Sequence, residues 1–400
     1  MSLTAKSEGI RMALTGNESI AYAMKQINPD VVAAYPITPQ TEIVQIFSKY
    51  IADGDVDTVF ERVESEHSAM SAVVGAAAAG ARSMTATSAN GLALMWEILY
   101  IAASNRLPIV MPVVNRALSG PINIHCDHSD TMGARDSGWI QLYSENAQEA
   151  YDNAIQAVRI AEHADVELPA MVAQDGFIIS HALDNLYTLE DKTVRDFIGT
   201  RIPRYSLLDV DNPATFGPLD LQDWYFEHKR QQAEGMEKAL DVIPQIAAEY
   251  EELTGRGYGF FEEYRTDDAE VVMLVFGSTA GTGKDVVDAM REEGHSVGLL
   301  KMRVFRPLPT AALVRALSGK KVVAVMDRAE SFAAAGGPAY KEIRSALFDC
   351  EKSPMVRNYI YGLGGRDTKP EDLRKVFDQS LAAAKAGHVD KPITYLGVRE

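Results

Sequence analysis

Three short polar segments that follow predicted strands carry side chains able to do chemistry. Thr38 ends the run Tyr35-Pro36-Ile37-Thr38, Glu66 precedes an alanine-rich stretch, and Arg116 follows an apolar block. A hydroxyl can donate a hydrogen bond to a substrate oxygen, a buried carboxylate can exchange a proton, and a guanidinium can hold a carboxylate through two parallel hydrogen bonds. Because ligands bind where the carboxyl ends of parallel strands meet, we expect Thr38, Glu66 and Arg116 to share one pocket.

The first two segments also have a structural explanation. Thr38 is suited to cap a helix whose first residue is Pro39. Glu66 would interact favourably with the dipole of the helix that it begins, and Ser65 could cap that helix. The helix after Glu66 carries almost no polar side chain, however, so the Glu66 carboxylate would be desolvated and would need a partner.

The loop after Arg116 contains further charged side chains. Arg116 could form a structural ion pair with Asp127 or Asp130 instead of binding a ligand. The Asp-His-Ser-Asp run that contains both aspartates offers possible metal ligands, but its tight spacing and the lack of further ligands argue against a metal, and we predict none. His125 and His128 are expected to make hydrogen bonds within the loop.

The composition argues against several classes of protein. The 400 residues contain 39 Lys and Arg against 56 Asp and Glu, a formal net charge of −17, which disfavours nucleic acid and anionic membranes as partners. No run of about 18 apolar residues predicts a membrane span, and the first six residues lack the apolar run of a signal peptide. Cys126 and Cys350 are too few for a disulfide framework, so we expect a cytoplasmic protein.

Two cysteines are also too few for an iron–sulfur cluster, which normally takes four cysteine ligands. If the protein takes part in electron transfer, the electron carrier must therefore lie on another chain.

Strand and helix patterns alternate in two stretches of the chain. The first stretch predicts strands at 31–35, 56–60, 83–87, 108–114 and 168–173, with helices at 39–50, 67–81, 92–103 and 148–163. The second predicts strands at 271–276, 297–302, 322–326 and 356–361, with helices at 284–293, 310–317, 339–347 and 370–385. Such alternation indicates an α/β protein with doubly wound parallel sheets. The two domains are predicted at 1–260 and 261–400, and an irregular extension at about 182–260 contains a long helix at 221–253.

One glycine-rich segment, Gly277–Lys284, follows a strand and opens a helix as a phosphate-binding loop does. Five residues separate Gly277 from Gly283 where the motif has four, and Asp285 replaces the hydroxyl residue that would bind Mg²⁺. A nucleotide-binding module is therefore a weak alternative.

Several segments together are typical of one family. They are Tyr35–Pro39, Glu64–Ala69, Asn115–Ser119 with Asp127–Asp130, Asp175–Phe177 with Ser180–His181, Phe305–Pro307 with Asp327–Arg328, and Gly362–Asp367. In this order they resemble the α subunits of multi-subunit pyruvate:ferredoxin (flavodoxin) oxidoreductases, within the thiamine-diphosphate-dependent 2-oxoacid:acceptor oxidoreductases. The resemblance covers nearly the whole chain.

The resemblance implies a pyrimidine-binding domain followed by a transketolase-C-terminal-like domain. It also implies that thiamine diphosphate is shared with a β subunit, which binds the diphosphate and Mg²⁺. A ferredoxin-like iron–sulfur subunit and a γ subunit would complete the complex. Pyruvate, coenzyme A, and ferredoxin or flavodoxin would be the reactants.

Site roles follow from the same resemblance. Glu66 resembles the glutamate that contacts the aminopyrimidine ring of the cofactor, and Tyr35, Pro36 and Ile37 belong to the same cofactor-binding motif. Arg116 resembles the clamp for the substrate carboxylate, and Thr38 the hydroxyl donor to the 2-oxoacid oxygens.

The implied activity is reversible, coenzyme A-dependent oxidative decarboxylation of pyruvate. Related enzymes that act on 2-oxoisovalerate or 2-oxoglutarate are alternatives, because some residues of the acyl pocket would lie on the β subunit. A non-catalytic scaffold subunit is a further alternative, and it predicts that Glu66→Gln leaves turnover intact.

Overall fold

A computed structural model describes residues 9–399, so the first eight residues, including the N-terminal segment considered above, and Glu400 lie outside it. Within residues 9–399 the strands form a seven-stranded sheet, a six-stranded sheet and a two-stranded ribbon. In the same range, no helix has both the length and the apolar character needed to cross a membrane.

The strands are β1 (Ile10–Thr15), β2 (Val31–Ala34), β3 (Val59–Arg62), β4 (Ser83–Met84), β5 (Val110–Asn115), β6 (Ile140–Tyr143), β7 (Ala170–Asp175), β8 (Leu183–Thr188), β9 (Phe261–Tyr264), β10 (Val271–Phe276), β11 (Val297–Met302), β12 (Val304–Arg306), β13 (Val322–Asp327), β14 (Met355–Ile360) and β15 (Ile393–Tyr395). The helices are α1 (Gly16–Ile27), α2 (Thr41–Asp53), α3 (Glu66–Ala78), α4 (Ala89–Leu94), α5 (Trp96–Ser104), α6 (Ser129–Gly133), α7 (Ala147–Ala161), α8 (Asp191–Ile198), α9 (Tyr225–Thr254), α10 (Thr279–Glu292), α11 (Thr310–Leu317), α12 (Pro338–Leu347) and α13 (Pro370–Ala386). The single helix predicted at 92–103 is thus two helices, α4 and α5.

The seven-stranded sheet has the order β12-β6-β7-β5-β4-β2-β3 and is parallel except at β12. Successive residues of β5 enter opposite cores: Val110 and Val114 pack with α1 and α7, whereas Met111 and Val113 pack with α3 and α5. Burial on both faces explains why this strand is a continuous apolar run. The predicted doubly wound parallel sheet is therefore confirmed.

The six-stranded sheet has the order β15-β14-β13-β10-β11-β9 and is parallel except at β9. Val272 and Leu274 of β10 face one core, and Val271 and Met273 face the other. The second α/β unit is confirmed, and strands 271–276 and 297–302 match their predicted bounds.

The chain crosses between the two sheets immediately after β11. Strand β12 leaves the six-stranded sheet and pairs antiparallel with β6 at the edge of the other sheet, with Val304 opposite Leu142. Val304 and Phe305 are fully buried there. The boundary at residue 260 stays a prediction, but the C-terminal part of the chain supplies an edge strand to the N-terminal sheet.

The extension at 182–260 contains more regular structure than the sequence suggested. Strand β8 pairs antiparallel with β1, and α8 follows it. Helix α8 forms because Val194 and Ile198, four residues apart, are buried on one face. Residues 199–224 lie outside helices and strands, and α9 occupies most of the predicted long helix.

Candidate active site

Four loops leave the same edge of the seven-stranded sheet. Strands β5, β4, β2 and β3 are consecutive and parallel, so their carboxyl ends lie side by side. The loops that begin there carry Thr38 after β2, Glu66 after β3, Thr87 after β4 and Arg116 after β5. The topology therefore brings the loops of all three predicted catalytic residues to one edge.

The loop after β2 differs from its prediction in one respect. Helix α2 begins at Thr41 with Gln40 at its N-cap, so the predicted cap by Thr38 and start at Pro39 are wrong. The reason is a turn, in which the Gln40 N–H donates to the Ile37 carbonyl over 2.8 Å and takes the cap position. Thr38 is thereby free of the helix, and its side chain is exposed. Tyr35 and Pro36 are exposed too, and Ile37 is half-buried.

Arg116 is buried, yet it has no counter-ion. Its side chain is 7% exposed, and its guanidinium donates to the Asn123 carbonyl over 3.0 Å and to the Thr38 carbonyl over 2.9 Å. Among residues 9–399, no carboxylate lies within 4.0 Å of this guanidinium. The suggested ion pair with Asp127 or Asp130 is therefore absent there. Backbone carbonyls orient the group but leave its positive charge uncompensated.

Asp130 is a site residue whose position the sequence did not reveal. One oxygen accepts the backbone N–H groups of Ala89 and Arg116 over 3.0 Å each. The other oxygen accepts from the Asn115 amide over 2.8 Å and from the Thr131 N–H over 2.7 Å. Burial raises the pKa of Asp130 to about 6, although these hydrogen bonds oppose the rise. Asp130 thus ties the loop after β4 to the loop that bears Arg116.

His128 and Asp175 form a buried pair beside this loop. The His128 Nε2 lies 2.7 Å from Asp175, and Arg328 lies 3.0 Å from the other oxygen of the same carboxylate. Burial alone would raise the pKa of Asp175, but the His128 and Arg328 charges outweigh it and lower that pKa. Cys126 is close enough to join a metal site with His128 and Asp175, but the Arg328 guanidinium already occupies the carboxylate. The prediction that the His128 side chain would bond within its own loop is wrong, because it pairs with Asp175 at the end of β7, whereas His125 Nδ1 does lie 3.3 Å from Asn123 Oδ1 within the loop.

Glu66 is the first residue of α3, and Ser65 caps the helix as predicted by accepting the Ser68 N–H over 3.2 Å. The Glu66 side chain is 6% exposed, and no hydrogen bond or ion pair within the described part of the chain engages its carboxylate. A Cβ at Gly91 would lie 2.8 Å from Glu66 Oε1 and 2.4 Å from Thr87 Oγ1. Glycine therefore lets α4 close over this carboxylate.

The Thr87 hydroxyl beside Glu66 is itself without a hydrogen-bond partner and is buried. A buried hydroxyl without a partner is expensive. A ligand with hydrogen-bonding atoms at this position would satisfy both groups.

Two other features carry no comparable arrangement. A cavity of about 640 Å³ lies between α5 and residues 199–224, but the Arg106 guanidinium that lines it donates to the Val166 and Glu167 carbonyls. In the Gly277–Lys284 segment, Lys284 binds Glu145 and Glu262. Its amine is therefore already engaged by carboxylates.

Comparisons with known proteins agree with the geometry. Residues 22–248 match the family described as pyruvate flavodoxin/ferredoxin oxidoreductase, thiamine diP-bdg. Residues 269–373 match pyruvate:ferredoxin oxidoreductase core domain II.

Curated relatives align along almost their whole length. Pyruvate synthase subunit PorA of Thermotoga maritima is 60% identical over 390 residues, which cover 98% of each chain. The subunit of the same name from Methanocaldococcus jannaschii is 46% identical over 97% of this chain and 98% of its own. Ketoisovalerate oxidoreductase subunit VorA of Pyrococcus furiosus is 43% identical over 96% and 98%.

Solved structures show the same fold at low identity. A 2-oxoglutarate:ferredoxin oxidoreductase from Magnetococcus marinus superposes with a TM-score of 0.72 at 20% identity, covering 94% of this chain and 66% of that chain. A split-gene transketolase superposes with a TM-score of 0.54 at 12% identity, covering 93% and 99%. The resemblance inferred from the sequence motifs is confirmed. The chain belongs to the pyruvate:ferredoxin oxidoreductase family of thiamine-diphosphate-dependent enzymes, and it corresponds to the α subunit.

Proposed function

We propose that this α subunit supplies the pyrimidine-binding side of the active site and the anchor for the substrate carboxylate. The reaction is reversible oxidative decarboxylation of pyruvate with coenzyme A, which yields acetyl-CoA and CO₂ and passes electrons to ferredoxin or flavodoxin. One observation carries the proposal: Glu66, at the start of α3, and Arg116, in the loop after β5, are buried residues without counter-ions at one edge of one sheet.

Glu66 fits the pyrimidine ring of thiamine diphosphate. A carboxylate that accepts from no protein donor can accept the proton of a ring nitrogen, and the neighbouring Thr87 hydroxyl also lacks a partner. Tyr35, Pro36 and Ile37, in the loop of the adjacent strand, would line the ring. When bound, thiamine diphosphate supplies the carbon nucleophile and holds the electron pair released by decarboxylation. Glu66 holds or releases the proton at the ring nitrogen, and its dry environment strengthens that interaction.

Arg116 and Thr38 fit the 2-oxoacid. The guanidinium is fixed by two carbonyls and keeps donors for a carboxylate, which it binds in a charge-assisted pair. The Thr38 hydroxyl, held near Arg116 by its own carbonyl, donates to the substrate oxygens. A small apolar acid needs such polar anchoring because its methyl group contributes little binding energy.

Partner chains complete the enzyme. A β subunit would bind the diphosphate and Mg²⁺, and a ferredoxin-like subunit and a γ subunit would carry the electron path and complete the complex. The two cysteines of this chain support that division because a cluster normally takes four. The complex would act in the cytoplasm.

Pyruvate is the proposed substrate because the 60% identical relative is named a pyruvate synthase subunit, against 43% for the ketoisovalerate enzyme. Steady-state assays of the assembled complex with pyruvate, 2-oxoisovalerate and 2-oxoglutarate test the proposal. We expect kcat/KM to be highest for pyruvate. A larger acid that is turned over far better would reject it.

A further inference from the structure

We propose that the Gly362–Gly365 turn, which follows β14 in the C-terminal part of the chain, is a positioning element for Arg116. The inference rests on the role proposed above for Arg116 as the carboxylate anchor. It assigns a purpose to a glycine-rich motif that lies outside the N-terminal sheet and that the proposed function does not use.

One hydrogen bond from an exposed loop orients the Arg116 guanidinium. Arg116 Nε donates to the Asn123 backbone carbonyl over 3.0 Å. Asn123 lies in an exposed loop, in which Leu118, Pro121 and Ile122 are all exposed. An exposed loop holds a carbonyl in place only if something outside the loop fixes it.

Asn123 is held in place by Gly364, in the C-terminal part of the chain. Its side-chain amide donates to the Gly364 carbonyl over 2.9 Å. The Gly364 N–H in turn donates to Asp127 over 3.1 Å, at the far end of the same loop. The Asn123 side-chain oxygen accepts the His125 N–H over 2.7 Å, which closes a local turn. One residue of the C-terminal part therefore clamps both ends of the segment between Asn123 and Asp127.

The Gly362–Gly365 turn requires glycine at two positions. Gly364 and Gly365 have φ values of +59° and +79°, in the left-handed region that side chains disfavour. A Cβ at Gly364 would lie 2.4 Å from the Asn123 amide nitrogen, and one at Gly365 would lie 2.3 Å from the His125 Cβ. The absent side chains are what allow the turn to touch the loop. The C-terminal part thus reaches the substrate anchor through Gly364, Asn123 and Arg116.

Gly364→Ala in the assembled complex is the first test. The new methyl group pushes on the Asn123 amide, so we expect the KM for pyruvate to rise about 3- to 10-fold, the range for losing one neutral hydrogen bond. The KM for coenzyme A and the thiamine diphosphate content should stay unchanged. Gly387→Ala is the matched control, because Gly387 also has a positive φ, of +75°, and a Cβ there would meet nothing within 4 Å. The KM of this control should equal that of the wild type.

Asn123→Ser is the second variant and avoids strain in the turn. Serine can still accept the His125 N–H through its hydroxyl but is too short to reach the Gly364 carbonyl. We expect a similar rise in KM, and no further rise when it is combined with Gly364→Ala, because both variants break one contact. Hydrogen–deuterium exchange should increase in residues 117–127 for both variants and stay unchanged for Gly387→Ala.

The Arg116→Ala background separates this inference from the proposed function. If Arg116→Ala raises the KM for pyruvate and abolishes the effect of Gly364→Ala, the inference is supported. If Arg116→Ala raises the KM while Gly364→Ala and Asn123→Ser leave it unchanged, or raise it equally with Arg116 absent, the positioning role is wrong and the anchor stands. If Arg116→Ala itself leaves the KM unchanged, the proposed function of Arg116 fails.

Discussion

Two groups of charged side chains in this chain are arranged in opposite ways. The junction charges, between the two sheets, neutralise one another, whereas the edge charges, at the carboxyl ends of the strands, do not. The junction charges are Glu145, Glu149, Glu262, Lys284 and Lys301, and the edge charges are Glu66 and Arg116.

Every junction charge has an opposite partner. Lys301 lies 2.7 Å from Glu145 and also contacts Glu149. Burial would lower the pKa of Lys301, but these carboxylates outweigh burial and raise it. Asp152, fully buried nearby, accepts two hydrogen bonds from Arg256 over 2.7 and 2.8 Å. Such pairs offset the desolvation of both members.

The edge charges lack that compensation. Arg116 is held only by carbonyls, and no residue in the described part of the chain contacts the Glu66 carboxylate through a hydrogen bond or ion pair. A fold stabilised to its optimum would pair such groups with opposite charges. From this difference we propose that the junction charges serve stability and that the edge charges bind ligands, and the following experiments test that division.

The largest expected effect is on catalysis. Glu66→Gln keeps the shape of the side chain but cannot take up the ring proton, so kcat should fall by about 10²- to 10⁴-fold, the usual contribution of a general acid or base. The melting temperature should stay close to that of the wild type because no ion pair is lost. Steady-state assays and circular dichroism measure the two quantities.

Glu162→Gln is the matched control for Glu66→Gln, because Glu162 is a partly buried carboxylate paired with Arg82 over 2.8 Å. It should lower stability and leave kcat unchanged. If Glu66→Gln leaves turnover intact while assembly of the complex suffers, the scaffold alternative is correct.

The next effect is on stability. Asp152→Asn removes the partner of Arg256 from a fully buried position, and breaking such a pair should lower the free energy of unfolding by about 3 kcal/mol. Urea denaturation of the chain measures the change. Glu270→Gln, in an exposed pair with Lys321, should change the same quantity by less than about 1 kcal/mol. Equal effects would remove the distinction between buried and exposed pairs.

The third effect, somewhat smaller than the loss of stability in Asp152→Asn, is on the KM for pyruvate. Arg116→Ala should raise the KM for pyruvate about 10- to 100-fold, the range for losing a hydrogen-bonded charge, with little change in stability. Arg116→Lys keeps the charge but loses the fork geometry, so its KM should lie between those of the wild type and Arg116→Ala. A melting temperature that falls steeply with an unchanged KM would place Arg116 among the structural charges.

The smallest effect depends on pH. With the pKa of Asp130 raised to about 6, this carboxyl gains a proton as pH falls through 6 and can no longer accept all of its N–H donors. The KM for pyruvate should therefore rise a few-fold between pH 7 and pH 5. Asp130→Asn should show a raised KM that is flat over this range, and an unchanged pH profile in this variant would contradict the role of Asp130.

Low pH has opposite effects on substrate binding and on stability through Asp130: it weakens binding but does not destabilise the fold. The unfolded carboxyl has a pKa of about 4, so the folded chain binds more protons than the unfolded chain between about pH 4 and pH 6. The destabilising effect of the buried charge is fully present above pH 6 and is lost as pH falls to about 4. Loosening of the site at low pH should thus occur without a loss of stability from this group.

The sequence predicted most of the buried strands but missed β6, which has only four residues. Strands such as 271–276 are continuous apolar runs because both faces are covered, and that pattern is visible without neighbours. The sequence did not predict strands β1, β6, β8, β9, β12 and β15, because they are short or partly exposed and gain their pairing from distant segments.

The sequence identified candidate site residues, whose roles stay predictions, but it did not show their contacts. Glu66, Arg116 and Thr38 were singled out because they follow predicted strands and because the motifs around them resemble a known family. The sequence named Asp130 only as a possible ion-pair partner or metal ligand and did not name Asn123, because the hydrogen bonds of both residues join groups that folding brings together. The cap assigned to Thr38 was wrong for a local reason, since the turn at Gln40 competes for the start of the helix.

Strand β12 has a consequence for any attempt to divide this protein. A fragment that stops at residue 260 keeps β6 but loses β12. Strand β6 then pairs only with β7 and becomes an unpaired edge strand of the sheet. Exposed edge strands can pair with strands of other chains, which promotes aggregation. Division of the chain at residue 260 would therefore expose an edge that the intact protein covers.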